Sequence, residues 1–79
     1  MKYNYYVFDA SEGLDNPIHE NFVGVVYPNI AGAPDMVSWG FVIANRIGNY
    51  YQTQIIITCD SNMYCRVFDG SAFTEWKEK

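Results

Sequence analysis

Short runs of apolar residues alternate with polar stretches along this chain, and no window of about eleven residues repeats with the helical period of 3.6. The runs are rich in Tyr, Val, Ile, Phe, Thr and Trp, which favour strands. The pattern predicts an all-β fold, a small antiparallel sheet or compact β-sandwich of five to six strands with long loops at 9–21 and 28–38. The predicted strands cover residues 3–8, 22–27, 39–44, 51–59 and 63–68, with a last short segment ending at Trp76. Gly40 is expected to mark a bulge in the third strand.

The two longest neighbouring strands predict a hairpin whose register follows from the side-chain pattern. A three-residue loop at 60–62 pairs Ile57 with Cys65 and makes one face uniformly apolar and the other mixed. A two-residue loop would place Ile57 opposite Arg66 and break this separation. Asn62, the third residue of the loop, is expected to be left-handed.

Cys59 and Cys65 lie diagonally across this predicted ladder. Diagonal Cβ atoms are about 7 Å apart, whereas a disulfide needs about 3.5–4.5 Å. We therefore predict two free thiols, buried on the apolar face. Two cysteines do not complete a zinc site, and the single histidine, His19, is expected to be a solvent-facing loop residue. No metal and no cofactor is predicted.

Length and charge narrow the class of protein. Seventy-nine residues make one domain, and a domain this small is only marginally stable without help such as a partner chain. The net charge is −4, and residues 1–35 hold five acids against Lys2 alone, which disfavours nucleic acid as a partner. No apolar run approaches the roughly 18 residues of a membrane span, so no membrane insertion is expected.

The first long loop contains a cluster of acidic residues, Asp9, Glu12, Asp15 and Glu20. An EF-hand would need an acidic or amide residue and then glycine where this chain has Gly13 and Leu14. A glycosidase needs two carboxylates at a fixed separation over a cleft, which a flexible loop does not provide. We predict that the protein is not an enzyme.

A series of short motifs runs through the C-terminal half. A glutamine-containing strand at 51–55 precedes the strand Tyr64-Cys65-Arg66, followed by Asp69-Gly70, Phe73 and Trp76-Lys77. In order and spacing these motifs resemble the pyocin knob and phage tail-fibre knob modules. Asn16-Pro17 and Gly24-Val25-Val26 also fit, so the similarity spans nearly the whole chain. The family more often has Trp at the position of Phe73 and Val at that of Cys65.

The resemblance implies a place in a particle that attaches to cells. It implies a receptor-binding knob in the virion tail, assembled in the host cytoplasm, commonly a homotrimer within a fibre. The partner would be a host cell-surface polysaccharide or a teichoic-acid or lipopolysaccharide-type glycan. We expect residues 1–79 to be one knob-like domain and a fragment of a longer tail-fibre or receptor-binding protein. The alternative is a spacer or trimer-organising domain that contacts no receptor.

Two groups of residues are candidates for these roles. The predicted ligand-binding residues surround a glycine turn or carry a large ring, on which a sugar would stack: Trp39, Asn49, Tyr50 and Tyr51. The alternation of Trp39 with Phe41 also fits a core position, and one of the two tyrosines could be core while the other caps the hairpin. The predicted structural residues are Arg66, Gly70, Phe73 and Trp76. Arg66 is expected to lie over Trp76 or Phe68 and fix the C-terminal segment against the sheet. The alternative is that Arg66 and Trp76 together hold a sugar or an anionic glycan.

Overall fold

One six-stranded sheet organises the protein, for which a computed structural model describes residues 5–15, 20–35 and 37–79. The predicted all-β class is confirmed, as one sheet and not a sandwich. Residues 3–4 of the first predicted strand, Asn16-Pro17 and His19 lie outside the described residues. The strands are β1 (Tyr6–Val7), β2 (Phe22–Val26), β3 (Gly40–Ile47), β4 (Tyr51–Thr58), β5 (Met63–Phe68) and β6 (Lys77–Glu78), with one 3-10 turn at Ala10–Glu12.

Strand order in the sheet follows chain order, from β1 to β6. All neighbouring pairs are antiparallel except β1 and β2, which are parallel. A parallel pair needs a crossover of a dozen or more residues, and the long loop 8–21 supplies it. The purely antiparallel form of the predicted sheet is therefore wrong at this one pair.

The even-numbered strand residues point to one side, which we call the covered face. Its apolar side chains are buried under loop residues, and among the described residues neither a helix nor a second sheet covers them. The loops contribute Phe8, Leu14, Ile30 and Val37 to the core. The strands contribute Phe22, Val26, Val42, Ala44 and Ile56, all with no exposed surface.

The odd-numbered strand residues point to the other side, which we call the open face. Phe41 and Ile57 are 49% and 51% exposed there. The apolar face of the predicted hairpin is this open face, and its mixed face is the covered one. The prediction that the two thiols are buried assumed the opposite arrangement. The mixed face tolerates burial because Gln54 and Arg66 hydrogen-bond to each other.

The observed hairpin register differs from the predicted one by two residues. Ile57 pairs with Met63 and Ile55 pairs with Cys65. The Thr58 N–H donates to the Asn62 carbonyl at 2.9 Å, so the three-residue loop is 59–61 and not 60–62. The Thr58 hydroxyl donates to the Asp60 carboxylate and accepts the Asn62 N–H, which closes the loop one position early.

The left-handed position of this loop is Ser61, with φ 69°, and not Asn62 as predicted. Cys59 and Cys65 are both free thiols, as predicted. Their predicted burial is wrong, because they lie on the open side, where Cys59 is exposed and Cys65 is half-buried.

Gly40 allows β3 and β4 to approach closely. It pairs with Thr58 in a regular ladder, so the bulge expected there is absent. A Cβ atom at Gly40 would lie 2.5 Å from the Ile57 carbonyl oxygen and 2.8 Å from the Thr58 Cα. We expect Gly40→Ala to lower the free energy of unfolding by about 1–3 kcal/mol, measured by urea denaturation.

The matched control is Gly48→Asn. Gly48 has φ 62°, a Cβ atom placed on it would meet nothing within 4 Å, and asparagine tolerates this backbone conformation. We expect a smaller loss of stability there. Equal losses at the two glycines would show that the close approach at Gly40 is unimportant.

Candidate functional site

A groove of about 700 Å³ crosses the covered side, between the loop at 32–35 and the C-terminal segment. The residues that line it are Asp15, Gly32, Ala33, Pro34, Asp35, Tyr64, Arg66, Phe73, Thr74, Glu75, Trp76 and Glu78. The groove exists because the chain leaves β5, reverses, and returns beside it as β6.

The chain reversal after β5 is organised by Asp69 and Gly70. The Asp69 carboxylate accepts the backbone N–H groups of Ser71 and Ala72, both at 2.9 Å, and these bonds lower the pKa of Asp69. Gly70 has φ 96°, a conformation that side chains disfavour. Thr74 then bonds to Val67 through both its backbone and its hydroxyl, which returns the chain along β5.

Arg66 forms the floor of the groove. Its Nε donates to Gln54 Oε1 at 2.8 Å, and its Nη2 donates to the Leu14 carbonyl at 3.2 Å and to Asp15 Oδ1 at 2.8 Å. Burial lowers the pKa of the Arg66 guanidinium, and the hydrogen bond and charge of Asp15 oppose that shift. The side chain therefore joins β4, β5 and the first loop.

Two aromatic rings stack on the Arg66 guanidinium. Its central carbon lies 3.6 Å from the centroid of Phe73 and 4.6 Å from that of Trp76. Trp76 Nε1 donates to the Gly32 carbonyl at 2.7 Å, which ties the C-terminal segment to the loop that forms the opposite wall. The chain thus brings together all four predicted structural residues, with Gly70 in the turn that delivers Phe73.

Two buried glutamines support this arrangement and were missed as site residues in the sequence. Gln54 Nε2 donates to the Leu14 carbonyl at 2.8 Å and to Gln52 Oε1 at 2.9 Å. Gln52 Nε2 donates to the Glu20 carbonyl at 2.9 Å. The available signal was the placement of both amides on the same face as Arg66, since a buried guanidinium needs an acceptor.

Acidic residues outnumber basic residues in the lining of the groove. Four carboxylates contribute to it, and Arg66 is the only cation among the lining residues. Because Arg66 is paired with Asp15, the remaining field of the groove is negative. Carboxylates accept hydroxyl hydrogen bonds, and the half-buried rings of Tyr64 and Trp76 offer apolar surface. This combination suits a polyhydroxylated ligand.

The predicted ligand-binding residues do not form one site. Trp39 lies immediately before β3, where its ring contacts Tyr27 with centroids 5.2 Å apart. Tyr51 pairs with Ile47 at the other end, about 25 Å away for an eight-residue strand. Trp39 is 58% exposed and Tyr50 is 68% exposed, so neither is a core residue. Asn49 Oδ1 accepts from Arg46 Nη2 at 3.2 Å.

Comparison of the chain with family models, curated proteins and solved structures gives no match. Within the described ranges, no cluster of three or more His, Cys, Asp or Glu side chains is arranged to hold a metal ion. Over the same part of the chain, no helix has the length and apolar character needed to cross a membrane.

Proposed function

We propose that this chain is a knob module of a phage or bacteriocin tail fibre that contacts a host cell-surface glycan through the groove. The observation that carries the proposal is the groove itself, whose lining includes both acidic residues and the aromatic residues Tyr64 and Trp76. Sugars present apolar ring faces and hydroxyl groups, and this lining matches both. Arg66 and Trp76 both belong to the motifs that resemble the knob modules, and the contact between them also supports the proposal.

The charge of the groove narrows the class of glycan. The carboxylates of Asp35, Glu75 and Glu78 repel phosphate groups, so teichoic-acid or lipopolysaccharide phosphates are disfavoured as direct contacts. Neutral hexoses or acetamido sugars of a surface polysaccharide fit better. We propose that the groove binds the glycan without cleaving it. The fibre that carries this module would belong to the virion tail.

Binding is tested by applying the 79-residue chain to a glycan array and to host cells. We expect Glu75→Ala to weaken binding of a neutral glycan about tenfold, as the loss of one charge-assisted hydrogen bond predicts, without unfolding the domain. Moderate salt should leave binding nearly unchanged, because little charge pairing is screened. Weak binding per domain would be raised by avidity in an oligomer.

The matched controls are variants of Tyr50 and Tyr51. The sequence predicted that these two exposed residues bind the ligand, and that prediction is still untested. Tyr50→Ala and Tyr51→Ala should bind normally if the groove is the site. Loss of binding in these variants alone would assign glycan contact to the turn and reject the groove. Normal binding in every variant, or no glycan bound at all, would reject the proposed function.

A second role, that of a spacer or trimer-organising domain, is favoured by a different observation. Two of the residues predicted to bind ligand lie on the open side of the sheet: Trp39 lies near Phe41 and Ile57, and Tyr51 pairs with Ile47. Exposed apolar faces of this kind are typical of contacts between protein chains. Oligomers that form without any glycan binding would support this role over the first.

A further inference from the structure

The open face carries continuous rows of apolar side chains across the sheet. One row joins Val25, Phe41, Ile57 and Met63, which are successive cross-strand partners. The neighbouring row joins Val7, Val23, Ile43, Ile55 and Cys65. Within the part of the chain that is described, no layer of this protein covers these rows.

The extent of this surface distinguishes it from scattered exposed residues. Val7 is 79% exposed and Val25 is 55% exposed. With strands about 4.8 Å apart and a rise of about 3.4 Å per residue, the strand residues give the whole face of the sheet an area on the order of 500 Å². Two such faces together would bury about 1,000 Å², which reaches the minimum area expected of a specific protein interface.

Charged residues are nearly absent from the strand positions of the open face. Among the strand positions that point to this side, the only charged residue is Lys77, at the edge strand β6. The groove with its carboxylates lies on the opposite side of the same sheet. Two copies that meet through their open faces would therefore keep their acidic grooves apart and pointing outward.

We infer that the open face is covered by another copy of this chain. Sheets pack face to face at about 10 Å through interdigitated apolar side chains, and one sheet covered on one side by loops is half of such a sandwich. The net charge of −4 opposes docking on an anionic membrane and also repels a second copy. On the face itself, however, Lys77 is the only charged strand residue, so contact between two such faces brings little like charge together. The inference does not depend on glycan binding.

The test is the molar mass of the full 79-residue chain by sedimentation equilibrium, between about 1 and 100 µM. We expect a dimer that dissociates on dilution. A monomer over the whole range would overturn the inference. So would a monomer that floats with neutral phosphatidylcholine vesicles, because the face would then belong to a lipid surface.

Two variants locate the contact. Ile57→Glu places a charge at the centre of the open face and should give a folded monomer at about 100 µM. Ser71→Glu adds the same charge at the exposed turn after β5 and should keep the wild-type mass. An oligomer that survives Ile57→Glu unchanged would mean that another surface associates, which overturns the inference.

The two thiols give a readout that does not require a stable monomer. Cys65 lies within an apolar row, whereas Cys59 lies beyond the paired part of the hairpin. As the concentration of the wild-type chain increases, the labelling of Cys65 should slow, and it should slow more than the labelling of Cys59. The melting temperature should rise over the same range of concentrations. If Ile57→Glu fails to fold, labelling and melting that are both independent of concentration would overturn the inference.

Discussion

Replacement of Arg66 by alanine is expected to lower the free energy of unfolding by about 3–5 kcal/mol, because it combines a cavity with the loss of donors to buried acceptors. The variant leaves Gln54 Oε1 and the Leu14 carbonyl without their Arg66 donors. A domain of this size has roughly 4–12 kcal/mol in total, so the loss would be a large part of it. Urea denaturation followed by tryptophan fluorescence measures it.

The control separates charge from geometry. Arg66→Lys keeps a cation, but a single ammonium group does not reproduce the planar fork that reaches Gln54, Leu14 and Asp15 together. We expect an intermediate loss. A change below about 1 kcal/mol in Arg66→Ala would show that these contacts are unimportant to stability.

Trp76→Ala is the second large effect, with an expected loss of about 3–5 kcal/mol. The variant removes the ring that lies against Arg66 and the Nε1 bond to the Gly32 carbonyl, so the C-terminal segment detaches from the loop across the groove. Trp76→Phe keeps a ring and should lose only about 1 kcal/mol, the value of one hydrogen bond.

A double-mutant cycle tests whether the two residues act together. Because the guanidinium and the indole are in contact, the losses in Arg66→Ala and Trp76→Ala should fall short of additivity by about 0.5–3 kcal/mol. An unchanged melting temperature in Trp76→Ala, accompanied by lost cell binding, would mean that Trp76 contacts the ligand and does not hold the fold.

From the sequence alone, the bounds of β5 were predictable, because they depend on local alternation. The stacking of Arg66 on an aromatic ring was also predictable, with Trp76 and Phe68 as the two candidates, of which Trp76 is in contact. Which face of the sheet is covered was not predictable by the rule that apolar faces turn inward. Gln54 and Arg66 satisfy each other within the buried layer, and loop residues such as Leu14 supply the apolar cover.

The prediction of the hairpin register was wrong for a different reason. The face pattern repeats every two residues, so a shift of two leaves it unchanged, and only loop geometry decides between the two registers. Hydrogen bonds of the Thr58 hydroxyl decide it here. The groove depends on the hydrogen bond from Trp76 to the Gly32 carbonyl. These two residues are 44 positions apart, so no local sequence pattern predicts their contact.

The agreement of strand order with chain order has a consequence for how the protein folds. Strands β2 to β5 form a meander in which each strand pairs with the next along the chain. The connections at 48–50 and 59–62 are short, so β3 to β5 should form early, and β2 should join them through the longer connection 27–39. The Leu14 carbonyl reaches Arg66 across 52 positions, so the first loop docks after the meander exists. Until it docks, Gln54 and Arg66 lack this acceptor. The N-terminal part of the chain therefore acts as the late-closing element that completes the groove.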